Sequence, residues 1–208
     1  MNKETREINI VNLFPTPIGQ SNIGRDFTNG ELTFIKQQKT HASTGNLVST
    51  ESNLLDKIEM FDIRNRIQGA LDAYYNYIFS PKTKTEIYIT QSWANYTNIG
   101  QSHHAHMHGN SYISGVLYIQ TFKDDSIHFT RPNIQMTFLH VEPLEQNLWN
   151  SQKWWLGANS GELLLFPSTL VHEVGLRDNP GTRISISFNT FLRGDIGNHE
   201  VKTGLTLI

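Results

Sequence analysis

Apolar and polar residues change rhythm once along this chain. From Leu54 through Phe61, Ile67, Leu71 and Tyr74 to Ile78, apolar positions recur mainly at steps of three and four, the period of an amphipathic helix. The pattern allows a break near Asp62. The helix is expected to end before Ser80-Pro81, because proline disfavours helical geometry in the residue before it. Beyond Pro81 the segments 86–96, 112–120, 127–129, 135–141, 162–166 and 184–192 are short, rich in β-formers and separated by turn residues. They predict a mostly antiparallel sheet. Near the start, residues 8–18 alternate apolar and polar positions until prolines interrupt them, which predicts an edge strand ending at Pro15. Residues 142–160, with Trp149, Trp154 and Trp155, have no clean period and are expected to form an inserted loop.

One long helix followed by several short strands predicts a mainly β fold with flanking α-helices, a sandwich or jelly roll carrying its helices on one face. With 208 residues, 38% of them hydrophobic, the chain suits a single domain over 1–208, with a helical part at about 30–80 and a β-core at about 86–192. The net charge of −2 argues against nucleic acid or an anionic membrane as a partner. The chain has no cysteine, which excludes disulfides, thiolate-held zinc, iron–sulfur clusters and thiol catalysis. Any metal must then be held by imidazole or oxygen. The charged start Met1-Asn2-Lys3-Glu4-Thr5-Arg6-Glu7, and apolar runs far short of the ~20 residues of a membrane helix, predict a cytoplasmic protein.

Four of the nine histidines fall in the six residues His103-His104-Ala105-His106-Met107-His108. In an extended strand, residues two apart share a face, so His104, His106 and His108 are expected on one side and His103 on the other. Two imidazoles at that spacing can converge on one ion, and both the His104/His106 and the His106/His108 registers provide it. A third ligand must come from a distance; His172, after the apolar segment from Gly161 to Ser168, is the candidate. Such a half-shell leaves positions open for a cofactor, a substrate or dioxygen, as catalytic sites do. A solvated loop with structural hydrogen bonds is the alternative account of the same histidines.

On the strand that follows, Arg183 and Ser185 alternate onto one face, where a guanidinium fork can clamp a carboxylate bidentately. Alone, such an arginine would make an ordinary surface ion pair. Trp93, Asn95, Tyr112 and Tyr118 lie on strands expected to flank a pocket, either packing or touching a cofactor or substrate. His128 and Arg131 reach towards its mouth or sit at a solvated strand end. His41, His140 and His199 have no partner spacing and receive no role.

The order and spacing of these elements resemble the Fe(II)/2-oxoglutarate-dependent oxygenases, most closely a small branch with a His-x-His…His pattern. The resemblance rests on Leu13-Phe14-Pro15-Thr16-Pro17, on Ser92-Trp93-Ala94-Asn95, on His106-x-His108-x-x-Ser111-x-x-Ser114-Gly115-Val116-x-Tyr118, on Gly161-Glu162-Leu163-Leu164-Leu165-Phe166-Pro167-Ser168 and on Arg183-Ile184-Ser185-Ile186-Ser187-Phe188-Asn189. It implies a double-stranded β-helix, the cupin-like jelly roll, with a metal in its open end. It also implies that His106, His108 and His172 are the catalytic metal ligands, and that Arg183 and Ser185, with Tyr118 and Asn95, bind the cofactor. The implied cofactors are Fe(II), 2-oxoglutarate as cosubstrate and dioxygen. The implied reaction is hydroxylation of an unidentified substrate with release of succinate and CO2. His106 and His108 are preferred to His104 for their position relative to Ser114-Gly115-Val116.

One departure is His108, which stands where the wider superfamily carries Asp or Glu. Neutral imidazole removes a negative charge from the metal's ligand set, and all-imidazole sites also suit Zn, Ni and Cu. Two alternatives follow. A three-histidine cupin-like metalloenzyme without 2-oxoglutarate accounts for His108 but leaves Arg183-x-Ser185 without a purpose. A non-enzymatic jelly-roll module would bind a ligand or protein through the same pocket. A homodimer is left open, with the tryptophan-rich segment at 149–155 serving as lid or interface.

Overall fold

Two antiparallel sheets face each other in the computed structural model, which describes residues 7–132 and 142–208. The larger runs β1 (Gly19–Asn22), β9 (Glu162–Pro167), β6 (Ile113–Gln120), β11 (Arg183–Ile196), β4 (Thr85–Thr97), β3 (Leu47–Ser49) and β2 (Thr40–Ala42), and β12 (Leu205–Leu207) pairs with the far end of β11. The smaller runs β5 (His103–His106), β10 (His172–Val174), β7 (Ser126–Thr130) and β8 (Lys153–Gly157). This is the expected mainly β jelly roll with helices on one face.

The period-2 rule divides the central strands between two cores. On β6, Ile113 and Leu117 pack against the helical side, while Val116 and Tyr118 point between the sheets. On β9, Leu163 and Leu165 face the helices, and Leu164 and Phe166 the inter-sheet core. The helical side is covered by α2 (Phe61–Phe79), whose Ile63, Ile67, Leu71 and Tyr74 form its buried stripe. Leu71 is fully buried, so Leu71→Ala should cost about 2–5 kcal/mol. A shorter helix, α1 (Asn29–Lys36), begins with a capping box between Thr28 and Glu31. A side chain at Gly115 would overlap the ring of Phe188 on the neighbouring strand, so the aromatic ring occupies the space the glycine leaves.

Several expectations need correction. The long helix starts at Phe61; residues 54–60 form two 3-10 turns, Leu54–Asp56 and Ile58–Met60, so the break falls just before Asp62. Residues 8–18 form no strand; pairing starts at Gly19, against Leu165. Pro15 and Pro17 lack the N–H that a ladder needs, and the alternating apolar residues before them are exposed. The region 142–160 is not only loop: Trp154 and Trp155 sit on β8, paired with Phe129 and His128. The predicted strand at 135–141 lies outside the described residues. No described helix is long and apolar enough to cross a membrane.

Candidate metal centre and the cavity behind it

Cross-strand pairing assembles the histidines. His106 on β5 lies opposite His172 on β10. His108 follows two residues after β5, its backbone N–H donating to the Ser168 carbonyl at 3.0 Å. Ligand nitrogens of His106, His108 and His172 all lie within 4.8 Å of one another. His104 groups instead with His103 and His106.

The expected division of faces does not hold. A register shift in the β5–β10 ladder between His172 and Val174 turns His103 into the cavity beside His106, ring centroids 4.5 Å apart. His104 is left exposed. Strict alternation fails because an irregular ladder re-aims side chains.

Each inner imidazole is oriented by an oxygen. His106 Nδ1 lies 2.7 Å from the His104 carbonyl and His172 Nδ1 3.0 Å from the Leu170 carbonyl, and His108 Nδ1 pairs with Asn189 Oδ1. These oxygens only accept, so the proton sits on Nδ1 and Nε2 keeps its lone pair for a metal. The buried His108 Nε2 has no partner among the described residues. Burial is the main force on the ring charges: it lowers His172 to about 3, with the surrounding imidazoles adding to the effect and the Leu170 carbonyl opposing it. His106 and His108 are lowered as well, chiefly by burial. The rings are therefore neutral at pH 7, the form that coordinates metal.

Behind them the cavity is lined by Trp93, Asn95, Arg183, Ser185 and Ser187, among others. β11 places Arg183 and Ser185 on the inward face because Ile184 and Ile186 occupy the other core. Arg183 is 3% exposed, yet among the described residues it meets no carboxylate. Its Nη1 donates to the Ser126 carbonyl at 3.2 Å, its guanidinium lies 5.2 Å from the centre of the Tyr118 ring, and its Nε has no partner. The Tyr118 hydroxyl and Asn95 Oδ1 are also buried and unpaired among the described residues, while Asn95 Nδ2 donates to Ser187 Oγ at 3.0 Å. Burial pushes the Tyr118 phenol up to about 12, so it stays protonated. Neutral nitrogens at one end, and an uncompensated cation with orphaned polar atoms at the other, fit a metal bound together with an anionic chelator.

Other candidates fall away from this centre. Tyr112 packs on Tyr75 and Phe79 at the helix end. Arg131 donates to the Ser151 and Leu148 carbonyls. His128 lies 3.1 Å from Ser126 Oγ and beside Trp155. His41 borders an outer groove next to the centre, and His140 lies outside the described residues. Sequence reasoning gave no role to Asn189, Ser187 or the Arg177–Asp125 pair. Asn189 was within reach, because it closes the Arg183–Asn189 alternation; its partner became visible only with β11 placed.

Residues 91–189 match the model of a family described as "Putative 2OG-Fe(II) oxygenase", a segment holding every inner imidazole, Arg183 and Ser185. No curated protein matches the chain. Among solved structures, HygX from Streptomyces hygroscopicus, with nickel and 2-oxoglutarate bound, is 13% identical, covers 84% of this chain and 82% of its own, and has a TM-score of 0.57. The non-heme alpha ketoglutarate dependent epimerase SnoN from nogalamycin biosynthesis is 11% identical over 85% and 76%, TM-score 0.58. A Pseudomonas putida prolyl-4-hydroxylase is 12% identical over 84% and 92%, TM-score 0.52. The structural likenesses bear on the fold, and the family model on the segment it matches: they bear out the resemblance to the 2OG-Fe(II) oxygenases, oxidoreductases that use iron, 2-oxoglutarate and dioxygen.

Proposed function

We propose that the chain is a dioxygenase that hydroxylates a substrate C–H bond, with His106, His108 and His172 holding Fe(II) and Arg183 and Ser185 binding the far carboxylate of 2-oxoglutarate. Tyr118 and Asn95 complete the polar lining of that end. When bound, iron with 2-oxoglutarate and dioxygen supplies the oxidation: C–H becomes C–OH, and succinate and CO2 leave. The protein supplies position. Asn189 and the His104 and Leu170 carbonyls keep Nε2 of each imidazole free, Arg183 offers a dry cationic end, and the apolar residues between the sheets exclude water. The observation that carries the reading is the buried Arg183, which meets no carboxylate among the described residues, in the same cavity as three neutral imidazoles.

The all-imidazole ligand set also favours a second reading, a three-histidine metalloenzyme that does not use 2-oxoglutarate. Anaerobic titration of the apo-protein with Fe(II), then 2-oxoglutarate, separates the two. The first reading expects the weak visible charge-transfer band of the chelate, dependent on both additions and absent from His172→Ala. Iron binding without a band favours the second. The reading also takes residues 1–208 as one working domain in the cytoplasm, acting on an unidentified substrate, with the net charge of −2 arguing against nucleic acid. A homodimer is compatible with it.

A further inference from the structure

The chain carries more imidazole than the inner centre uses. His103 and His104 are not among the three rings of that centre, yet ligand nitrogens of His103, His104 and His106 also lie within 4.8 Å of one another. Ring centroids are 5.3 Å apart for His103 and His104, and 5.0 Å for His104 and His106. The two rings are also weakly tied. His104 is exposed, and among the described residues its ring's only polar contact is a long 3.4 Å approach to the Thr44 carbonyl. The His103 ring makes no hydrogen bond among the described residues, and the residue lines both the inner cavity and the open groove. An ion can arrive through that groove, which His103 and His106 both line, while the His104 ring stands open to solvent.

We infer that His103 and His104, joined by His106 when that ring is free, form a second, outer site for an imidazole-seeking divalent ion such as Zn(II), Ni(II) or Cu(II). No carboxylate belongs to the group, which selects against the hard ions Mg(II) and Ca(II). His106 links the two sites. Its Nδ1 is committed to the His104 carbonyl, so it has one nitrogen to give, and only one three-imidazole set can be complete at a time. An ion held by all three outer rings therefore takes a ligand from the inner centre. Zn(II), Ni(II) and Cu(II) all stand above Fe(II) in affinity for nitrogen sites, so the outer site makes the inner one vulnerable to them. The inference concerns binding alone and does not depend on the oxygenase reading.

Calorimetric Zn(II) titration of the full chain tests it with two sets of variants. His108→Gln with His172→Gln removes two inner ligands and should still bind one equivalent; adding His104→Ala should weaken that binding at least tenfold. In the wild type, a first tight equivalent should be followed by a weaker one held by His103 and His104, and His104→Ala should remove the second while leaving the first. His104 is exposed, so this second arm stands even if the inner variant does not fold. A folded inner variant that binds no Zn(II), or binds it regardless of His104, overturns the inference. So does a wild-type isotherm that His104→Ala leaves unchanged. If the first wild-type equivalent is missing while the second remains, the inner centre has failed and the outer site stands.

Discussion

Arg177 and Arg183 stand six positions apart, both almost fully buried, at 5% and 3% exposure, and they solve the same electrostatic problem in opposite ways. Arg177 Nε donates to Asp125 Oδ1 at 2.9 Å, and its Nη1 donates to the Thr97 and Gly181 carbonyls. Its charge is neutralised within the protein, and it ties the turn before β11 to the loop before β7. Among the described residues Arg183 has one carbonyl, one aromatic face and no carboxylate. Burying a charge without a partner costs several kcal/mol, and such a cost is carried where the partner is a ligand. A buried arginine that is paired therefore reads as structure, and one left unpaired in a cavity reads as a binding site.

Cutting the paired arginine should do the most damage. Asp125→Ala leaves Arg177 as an uncompensated buried cation and should lower unfolding free energy by about 3–5 kcal/mol, measured by denaturant melts of the metal-free protein. Arg183→Met should instead melt no lower than the wild type without ligand, because it removes an unpaired buried charge. Its loss should appear in 2-oxoglutarate binding, about 1.5–3 kcal/mol for hydrogen bonds to a charged group, read by calorimetry in the presence of metal. If Arg183→Met destabilises as strongly as Asp125→Ala, the contrast between the two is lost. Asn189→Leu frees the His108 ring from its orienting oxygen and should weaken metal binding about 10–100-fold with little change in melting.

The smallest effect belongs to a third arginine nearer the surface. Arg25 bonds both Glu31 and Asp62, and Arg25→Met should cost about 1 kcal/mol or less. Burial pushes Glu31 up, but the bonds from Arg25 and Thr28 outweigh it and hold its carboxyl below the ordinary 4.5. A lowered carboxyl stabilises the fold fully above its unfolded value, and that stability is lost as pH falls through the folded one. The wild type should thus lose stability below about pH 4.5, and Arg25→Met should flatten that decline in acid melts.

The order His106, His108, His172, Arg183, Ser185 is a property of the chain, and local period was enough to mark the helix body, the central strands and the jelly-roll class. Where local pattern misled, long-range pairing was the cause. Trp154 and Trp155 are strand residues only because β7 offers them an edge, and residues 8–18 alternate without finding one. His103 joins the cavity because the β5–β10 ladder slips by a residue, which no spacing within 103–108 reveals. Asn189 becomes the orienting group for His108 across a gap of 81 residues, and Arg177 is distinguished from Arg183 only by the arrival of Asp125 from another loop. Sequence selects the chemical groups and the faces they take on their own strands, since side-chain alternation is a local property of the backbone. Which groups meet, and which charge is left without a partner, is decided by sheet register, because those contacts join segments that only the folded sheets bring together.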